Sequence, residues 1–296
     1  MTPSQPGSGG PLRLGPREFA AHTLVVMAIV NRTPDSFFDH GSTFAMDAAM
    51  DAVDAAVAQG AEIVDIGGVK AGPGPEVDVA EEIRRVGDVV AQVRRRHPGL
   101  VISVDTWRSE VGRVVVEAGA DLLNDAWAGH DPELAVVAAQ AGVGLVCSHT
   151  GGVVPRTDPY RVGYDDVVSD VVDTVTGLAE RAVGLGVRRD AIVIDPAHDF
   201  NKNTRHSLEV SRRLDELVDT GWPVLAALSN KKFIGETLDL PTGQRLAGTL
   251  AATAIAAWQG ARIFRAHQVR ETRQVLDVVA TIRGTRQPRV CRRGLA

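Results

Sequence analysis

Eight short apolar runs, each closing on a polar or charged residue and each followed by a stretch of helical periodicity, restrict this 296-residue chain to few architectures. The runs are LVVMAIVN (24–31), AEIVDIGG (61–68), LVISVDT (100–106), ADLLNDA (120–126), VGLVCSHT (143–150), AIVIDP (191–196), PVLAALS (223–229) and ARIFRAH (261–267). Helical patterns follow at 46–59, 79–97, 109–118, 131–141, 164–185, 207–220, 242–259 and 270–283. The runs are uniformly apolar, as strands are when helices cover both faces. Eight successive βα units predict an α/β fold of the TIM (β/α)8 barrel type. An open doubly wound sheet is the alternative, but no glycine-rich dinucleotide turn follows the first run. That run ends instead in Asn31-Arg32-Thr33-Pro34-Asp35-Ser36-Phe37, a polar loop too specific for a plain turn.

With 44% hydrophobic residues the chain can bury a large core. Residues 1–16 are rich in Pro, Gly and Ser and are expected to be a disordered extension. Residues 17–284 are expected to form one domain, and 285–296 a flexible basic tail. A net charge of −5 gives no electrostatic case for a nucleic-acid or acidic-membrane partner. No apolar run approaches a membrane span and no signal-peptide core is visible, so a cytoplasmic protein is expected. Cys147 reads as core and Cys291 as part of the tail, with no disulfide implied. His149, His198, His206 and His267 show no tight metal-ligand spacing.

Barrel active sites lie at the C-terminal ends of the strands. Those ends carry, in order, Asn31, Asp65, Asp105, Asn124 with Asp125, His149, Asp195, Ser229 with Lys231, and Arg265 with His267. Any one of them fits a strand cap or an ion pair; a whole ring needs a ligand or mutual pairing. Asp105, Asn124 and Asp195 suit the donor-rich edge of a flat heterocycle, whereas Lys231, Arg265 and His267 offer positive charge for a phosphate or pyrophosphate.

The segments MAIVNRTPDSF, EIVDIGG, ISVDT, LLNDAW, VIDP, LSNKKFIG, RLAGTLA and RIFRAHQVRET, in this order, resemble the signature blocks of dihydropteroate synthases. That family folds as a TIM barrel, is usually dimeric, and joins 6-hydroxymethyl-7,8-dihydropterin pyrophosphate to 4-aminobenzoate with release of pyrophosphate. The resemblance implies that Asp105, Asn124 and Asp195 bind the pterin. Lys231 would reach its ring face and carbonyl, and Phe200 would belong to the substrate site. Arg265 and His267 would hold the pyrophosphate, Asn31 would help place a Mg²⁺ that arrives with it, and Ser229 would lie near the aminobenzoate carboxylate. Lys231, Arg265 and His267 would assist departure of the diphosphate electrostatically. A homodimer through the last helices is implied, with 249–258, TLAATAIAAW, either its surface or intramolecular core.

The departures from the family concentrate around this site. The second βα loop normally reads Gly-Glu-Ser-Thr-Arg-Pro-Gly and here has Lys70, Ala71 and Gly72, losing a hydroxyl and a guanidinium. A lost charge-assisted bond to an anion is worth about 1.5–3 kcal/mol. In the first loop Arg32 replaces valine, as a relocated anion contact or a surface cation that distorts the loop, and Phe38-Asp39-His40-Gly41 replaces Ser-Asp-Gly-Gly. After the sixth strand Ala197 and Asp199 replace glycines, Ala227 replaces another before the seventh-strand serine, and Asn230 replaces an arginine. Glycine beside a flat ligand marks close backbone approach, so these side chains are expected to crowd the slot. The resulting expectation is a synthase-like protein, inactive or strongly impaired, that retains binding of pterin-like or sulfonamide-like ligands. An active synthase, ordinary or with an altered substrate, and a non-catalytic partner subunit remain the alternatives.

Overall fold

The computed structural model describes residues 9–33, 42–159 and 161–293. A hairpin of β1 (Leu12–Leu14) and β2 (Arg17–Phe19) precedes eight parallel strands: β3 (Val25–Asn31), β4 (Ile63–Gly67), β5 (Val101–Asp105), β6 (Leu122–Asp125), β7 (Gly144–Ser148), β8 (Ile192–Asp195), β9 (Leu225–Ala226) and β10 (Ile263–Ala266). They pair in the order β8-β7-β6-β5-β4-β3-β10-β9. A parallel bridge from Ile194 to Val224 closes the ring, which makes the expected barrel.

Between the strands lie α1 (Met46–Ala58), α2 (Val79–Arg96), α3 (Ser109–Glu117), α4 (Glu133–Ala141), α5 (Val167–Gly184), α6 (Thr204–Arg212), α7 (Leu214–Val218), α8 (Lys232–Leu238), α9 (Leu246–Gln259) and α10 (Val269–Ile282). The pattern at 207–220 resolves into two helices parted at Arg213, which leaves the helical region. Helix α8 was not expected, because seven residues directly after a strand-end motif carry too short a period to see.

Alternate residues of each strand face inward or outward. Val25, Met27, Ile63, Val101, Leu122, Val146, Val193, Leu225 and Ile263 fill the barrel, while the intervening residues pack beneath the helices. The N-terminal expectation needs correction here. Leu12, Leu14 and Phe19 join the interior cluster and plug the N-terminal mouth of the barrel. Arg262 fastens the hairpin by donating to the carbonyls of Gly10, Phe19 and Ala20 at 2.9–3.1 Å. Gly15 turns it at φ 49°, and a Cβ there would fall 2.0 Å from the Asp121 carboxylate. Two buried leucines in alternation outweighed the Pro- and Gly-rich composition around them. At the other end no regular element follows α10 among the described residues, and Arg286 and Arg289 reach back to Asp277. Cys147 is buried and Cys291 exposed.

Candidate active site

Register brings the inward strand ends together. Asn31 pairs with Gly67, Gly67 with Asp105, Asp105 with Asn124, and Ser148 with Asp195. Arg265 rises from β10 into the centre, where Nε donates to Asp65 at 2.6 Å and Nη2 to Asp105 at 3.1 Å. Asp65 also accepts from Ser103 Oγ at 2.6 Å and Asn124 Nδ2 at 3.1 Å. Burial opposes the Arg265 charge, but Asp65 and Asp105 more than offset it and its pKa is raised. Burial pushes Asp105 up to about 7, against the pull of Arg265 and with the help of Asp65. Asp195 is likewise raised by burial, although its Oδ1 accepts from the Ala197 amide at 2.7 Å.

Asp65 was expected in the ring without a role, and it is the hub that ties the cationic side to the heterocycle-recognising side. Ser103, two residues before Asp105 on the same inward face, is readable from strand alternation. Asp125 leaves the ring: it faces outward and caps the amides of Trp127 and Gly129.

Lys231 donates to the His198 carbonyl at 2.8 Å, and its ammonium stands 4.6 Å from the centre of the Phe200 ring. Phe200 in turn meets Trp127 edge to face at 5.3 Å. Burial lowers the Lys231 pKa, with Asp199 and Asp195 acting against the shift. Ser229 Oγ lies 2.9 Å from His267 Nδ1 and accepts from the His267 amide at 3.2 Å. Burial, Arg265 and Lys231 push His267 down to about 3. It therefore enters the site as a neutral hydrogen-bonding ring, not as the cation expected from sequence.

The loop after β8 carries a conformation that its sequence hides. Ala197, Asp199 and Asn201 take φ of 50°, 69° and 46°, and Asn230 takes 57°. Positions 197 and 199 are thus left-handed, a backbone that glycine adopts without strain, which is a reason for glycine there beside close ligand approach. Asp199 is no unpaired intruder either. Its carboxylate accepts from the amides of Lys232 and Phe233, at the start of α8, and from Ser207 Oγ. Asn230 donates its amide to Thr249 Oγ1 at 3.1 Å and its side chain to Gln268 at 3.2 Å. Ala227 is buried in the interior cluster.

Arg32 is buried, not on the surface. It donates to the carbonyls of Arg85 at 3.1 Å and Thr43 at 3.2 Å, and burial beside Arg84 and Arg85 lowers its pKa. Lys70 is half-buried, Ala71 exposed, and Gly72 gives its carbonyl to Arg156 Nε at 3.4 Å. Arg156, from the loop after β7, also holds the Pro75 carbonyl at 2.8 Å, a cross-loop tie with no sequence signal. Phe38, Asp39, His40 and Gly41 lie outside the described residues. Among the described residues no group of three His, Cys, Asp or Glu could hold a metal ion. Asn31, at the end of β3, lies at the mouth of the barrel.

The sequence profile described as "Pterin binding enzyme" matches residues 27–267. The inactive dihydropteroate synthase 2 of Mycobacterium leprae is 57% identical over 284 residues, which is 95% of this chain and 98% of that protein. The dihydropteroate synthase of Haemophilus influenzae is 36% identical over 86% of this chain and 92% of its own. The crystal structure of Yersinia pestis dihydropteroate synthase with a sulfonamide drug complex superposes with a TM-score of 0.88 at 32% identity, covering 93% of this chain and all of that one. The barrel, the polar ring at its mouth and these matches agree, and the chain belongs to the family of pterin-binding enzymes that includes the dihydropteroate synthases.

Proposed function

We propose that this protein is a dihydropteroate synthase-like paralogue that keeps the pterin-recognising ring and has lost, or nearly lost, the condensation of 6-hydroxymethyl-7,8-dihydropterin pyrophosphate with 4-aminobenzoate. Asp105, Asn124 and Asp195 would accept from and donate to the pterin edge, and Lys231 and Phe200 would flank the ring. Arg265, His267 and Ser229 would face the diphosphate and the aminobenzoate carboxylate. Mg²⁺ would enter with the diphosphate and use Asn31 as one oxygen ligand.

The observation that carries the reading is Asp199. Its carboxylate is fixed beside Lys231, whose charge it acts on, and it occupies the Lys232 and Phe233 amides. Both substrates of the family are anions, and both would meet this added negative charge where the family has glycine. The loss of the guanidinium at Gly72 acts in the same direction. The name of the Mycobacterium leprae relative, at 57% identity, agrees with the reading.

For its assembly we propose a homodimer through α9 and α10, where Ile255, Trp258, Val278 and Ile282 are more than half exposed. Thr249, Thr253, Ala256 and Ala257 on the other side of α9 belong to the core. No helix of the described residues is long and apolar enough to cross a membrane, and a soluble, cytoplasmic location is proposed with the synthase reading.

Calorimetric titration separates the two halves of the proposal. A neutral 7,8-dihydropterin should bind, and its pyrophosphate ester with Mg²⁺ should bind no more tightly. Much tighter binding of the ester would return the protein to the active synthases.

A further inference from the structure

Lys202 is a buried lysine, 6% exposed, whose ammonium hydrogen-bonds, among the described residues, to uncharged partners. Nζ lies 2.7 Å from His149 Nδ1 and donates to the carbonyls of Phe200, Ala197 and His149 at 3.1, 3.3 and 3.4 Å. On the far side of the imidazole, Nε2 lies 2.6 Å from Asp170 Oδ1 on α5, and the Asp170 side chain is 49% exposed. The carboxylate accepts only, so Nε2 carries the ring hydrogen, Nδ1 is the acceptor and Lys202 the donor. The contacts run unbroken from the outer surface of α5, through the end of β7, to the loop after β8.

That loop holds the left-handed residues Ala197, Asp199 and Asn201. Two of the carbonyls that Lys202 gathers, those of Ala197 and Phe200, belong to it, and the carbonyl between them, that of His198, receives Lys231. Three left-handed non-glycine residues this close together persist only when surrounding contacts over-determine them.

We propose that Lys202, backed by His149 and Asp170, is a positioning residue: it holds the loop 197–201, with its alternate left-handed residues Ala197, Asp199 and Asn201, and so sets the His198 carbonyl and the Phe200 ring against Lys231. Treating this loop as part of a site rests on the functional reading above; its conformation does not, and a test without ligand lets the two fail separately.

Burial pushes the Lys202 ammonium down to about 7, with Asp195 on β8, Asp170 on α5 and Asp199 in the loop favouring its charge and Lys231 opposing it. Burial and Lys202 push His149 down to about 4 and also lower His206 on α6, and His198 falls to about 3. Above about pH 7 the amine has one hydrogen fewer for its four partners, and the loop loses a tether.

Trp127 reports on the loop because its ring lies 5.3 Å from Phe200. The full chain carries four tryptophans. With 5-fluorotryptophan incorporated and the Trp127 signal assigned by W127F, the fluorine resonance is followed from about pH 6 to pH 9. In the wild type it should shift with one inflection near 7. In K202R, whose guanidinium stays charged, it should remain at the low-pH position throughout. In K202M it should sit at the high-pH position, or be broadened, at every pH. A resonance that is flat in the wild type, or an inflection near 7 that is unchanged in K202R and K202M and so belongs to another group such as Asp105 or Asp125, overturns the proposal. The wild-type titration stands even if a variant fails to fold.

Discussion

Arg265 and Asp65, two hundred residues apart in the chain, meet at 2.6 Å in the mouth of the barrel, and the Asp65 side chain is wholly buried. Replacing Arg265 by Met leaves Asp65 and Asp105 without their shared counter-charge. Breaking a buried pair from one side costs about 3–5 kcal/mol. Urea denaturation of R265M should show a loss of that size with an unchanged m-value. A loss below about 1 kcal/mol would mean that the pair is solvated.

Asp105 should make ligand binding depend on pH. Its ionised form is the hydrogen-bond acceptor, and burial raises its pKa to about 7. As pH falls through that value the acceptor is lost, so dihydropterin affinity should drop by roughly tenfold for each unit below it. The stability contribution runs the other way: a raised carboxylate pKa stabilises the fold below the ordinary value of 3.8, and this is lost as pH rises through about 7. Calorimetry at pH 6 and pH 8 on wild type and D105N checks the first statement, because D105N should bind weakly at both.

Ala197 sits at φ 50° with a side chain that disfavours it. A197G should stabilise the fold by about 1 kcal/mol, since alanine is strained where glycine is not. Thermal denaturation of A197G that shows a lower midpoint would contradict this.

Asp199 combines two opposed roles. It caps the start of α8, but its own φ of 69° favours glycine, so the two effects of D199G oppose each other and its net stability change should stay below about 1 kcal/mol. The same change removes a carboxylate beside Lys231 and should tighten binding of the pterin pyrophosphate by on the order of tenfold. Unchanged affinity for the ester in D199G would remove Asp199 from the explanation of impaired activity.

The N-terminal hairpin gives a purely structural prediction. Deleting residues 1–15 exposes the pocket filled by Leu12 and Leu14 and should cost about 3–6 kcal/mol, from two fully buried leucines. Equal stability of the shortened chain would show that the barrel closes without the plug.

Much of this architecture was legible because barrel strands announce themselves. Apolar runs ending in Asp105, Asn124, Asp195 and Arg265 give both the strand and its inward terminal residue, and alternation does the rest. The hairpin was not legible, since Leu12 and Leu14 lie in a stretch whose composition reads as disorder and whose burial depends on a barrel mouth formed by distant residues. The charge state of His267 was equally hidden: neutrality comes from burial beside Arg265 and Lys231, a three-dimensional neighbourhood. The burial of Arg32 was hidden too, because the carbonyls of Arg85 and Thr43 to which it donates leave no trace in sequence. The left-handed backbone at 197 and 199 was readable in principle, from the family glycines that Ala197 and Asp199 replace. It was attributed to ligand approach because both explanations call for glycine.

The central claim is that the pterin ring survives and the condensation does not. The most direct test is the rate of dihydropteroate formation by the purified wild-type protein, supplied with 6-hydroxymethyl-7,8-dihydropterin pyrophosphate, 4-aminobenzoate and Mg²⁺. The account predicts no product above the protein-free background, with three or more decades of rate lost to the altered loops. Turnover within tenfold of an ordinary synthase assayed alongside would contradict it and make the protein an active member of the family.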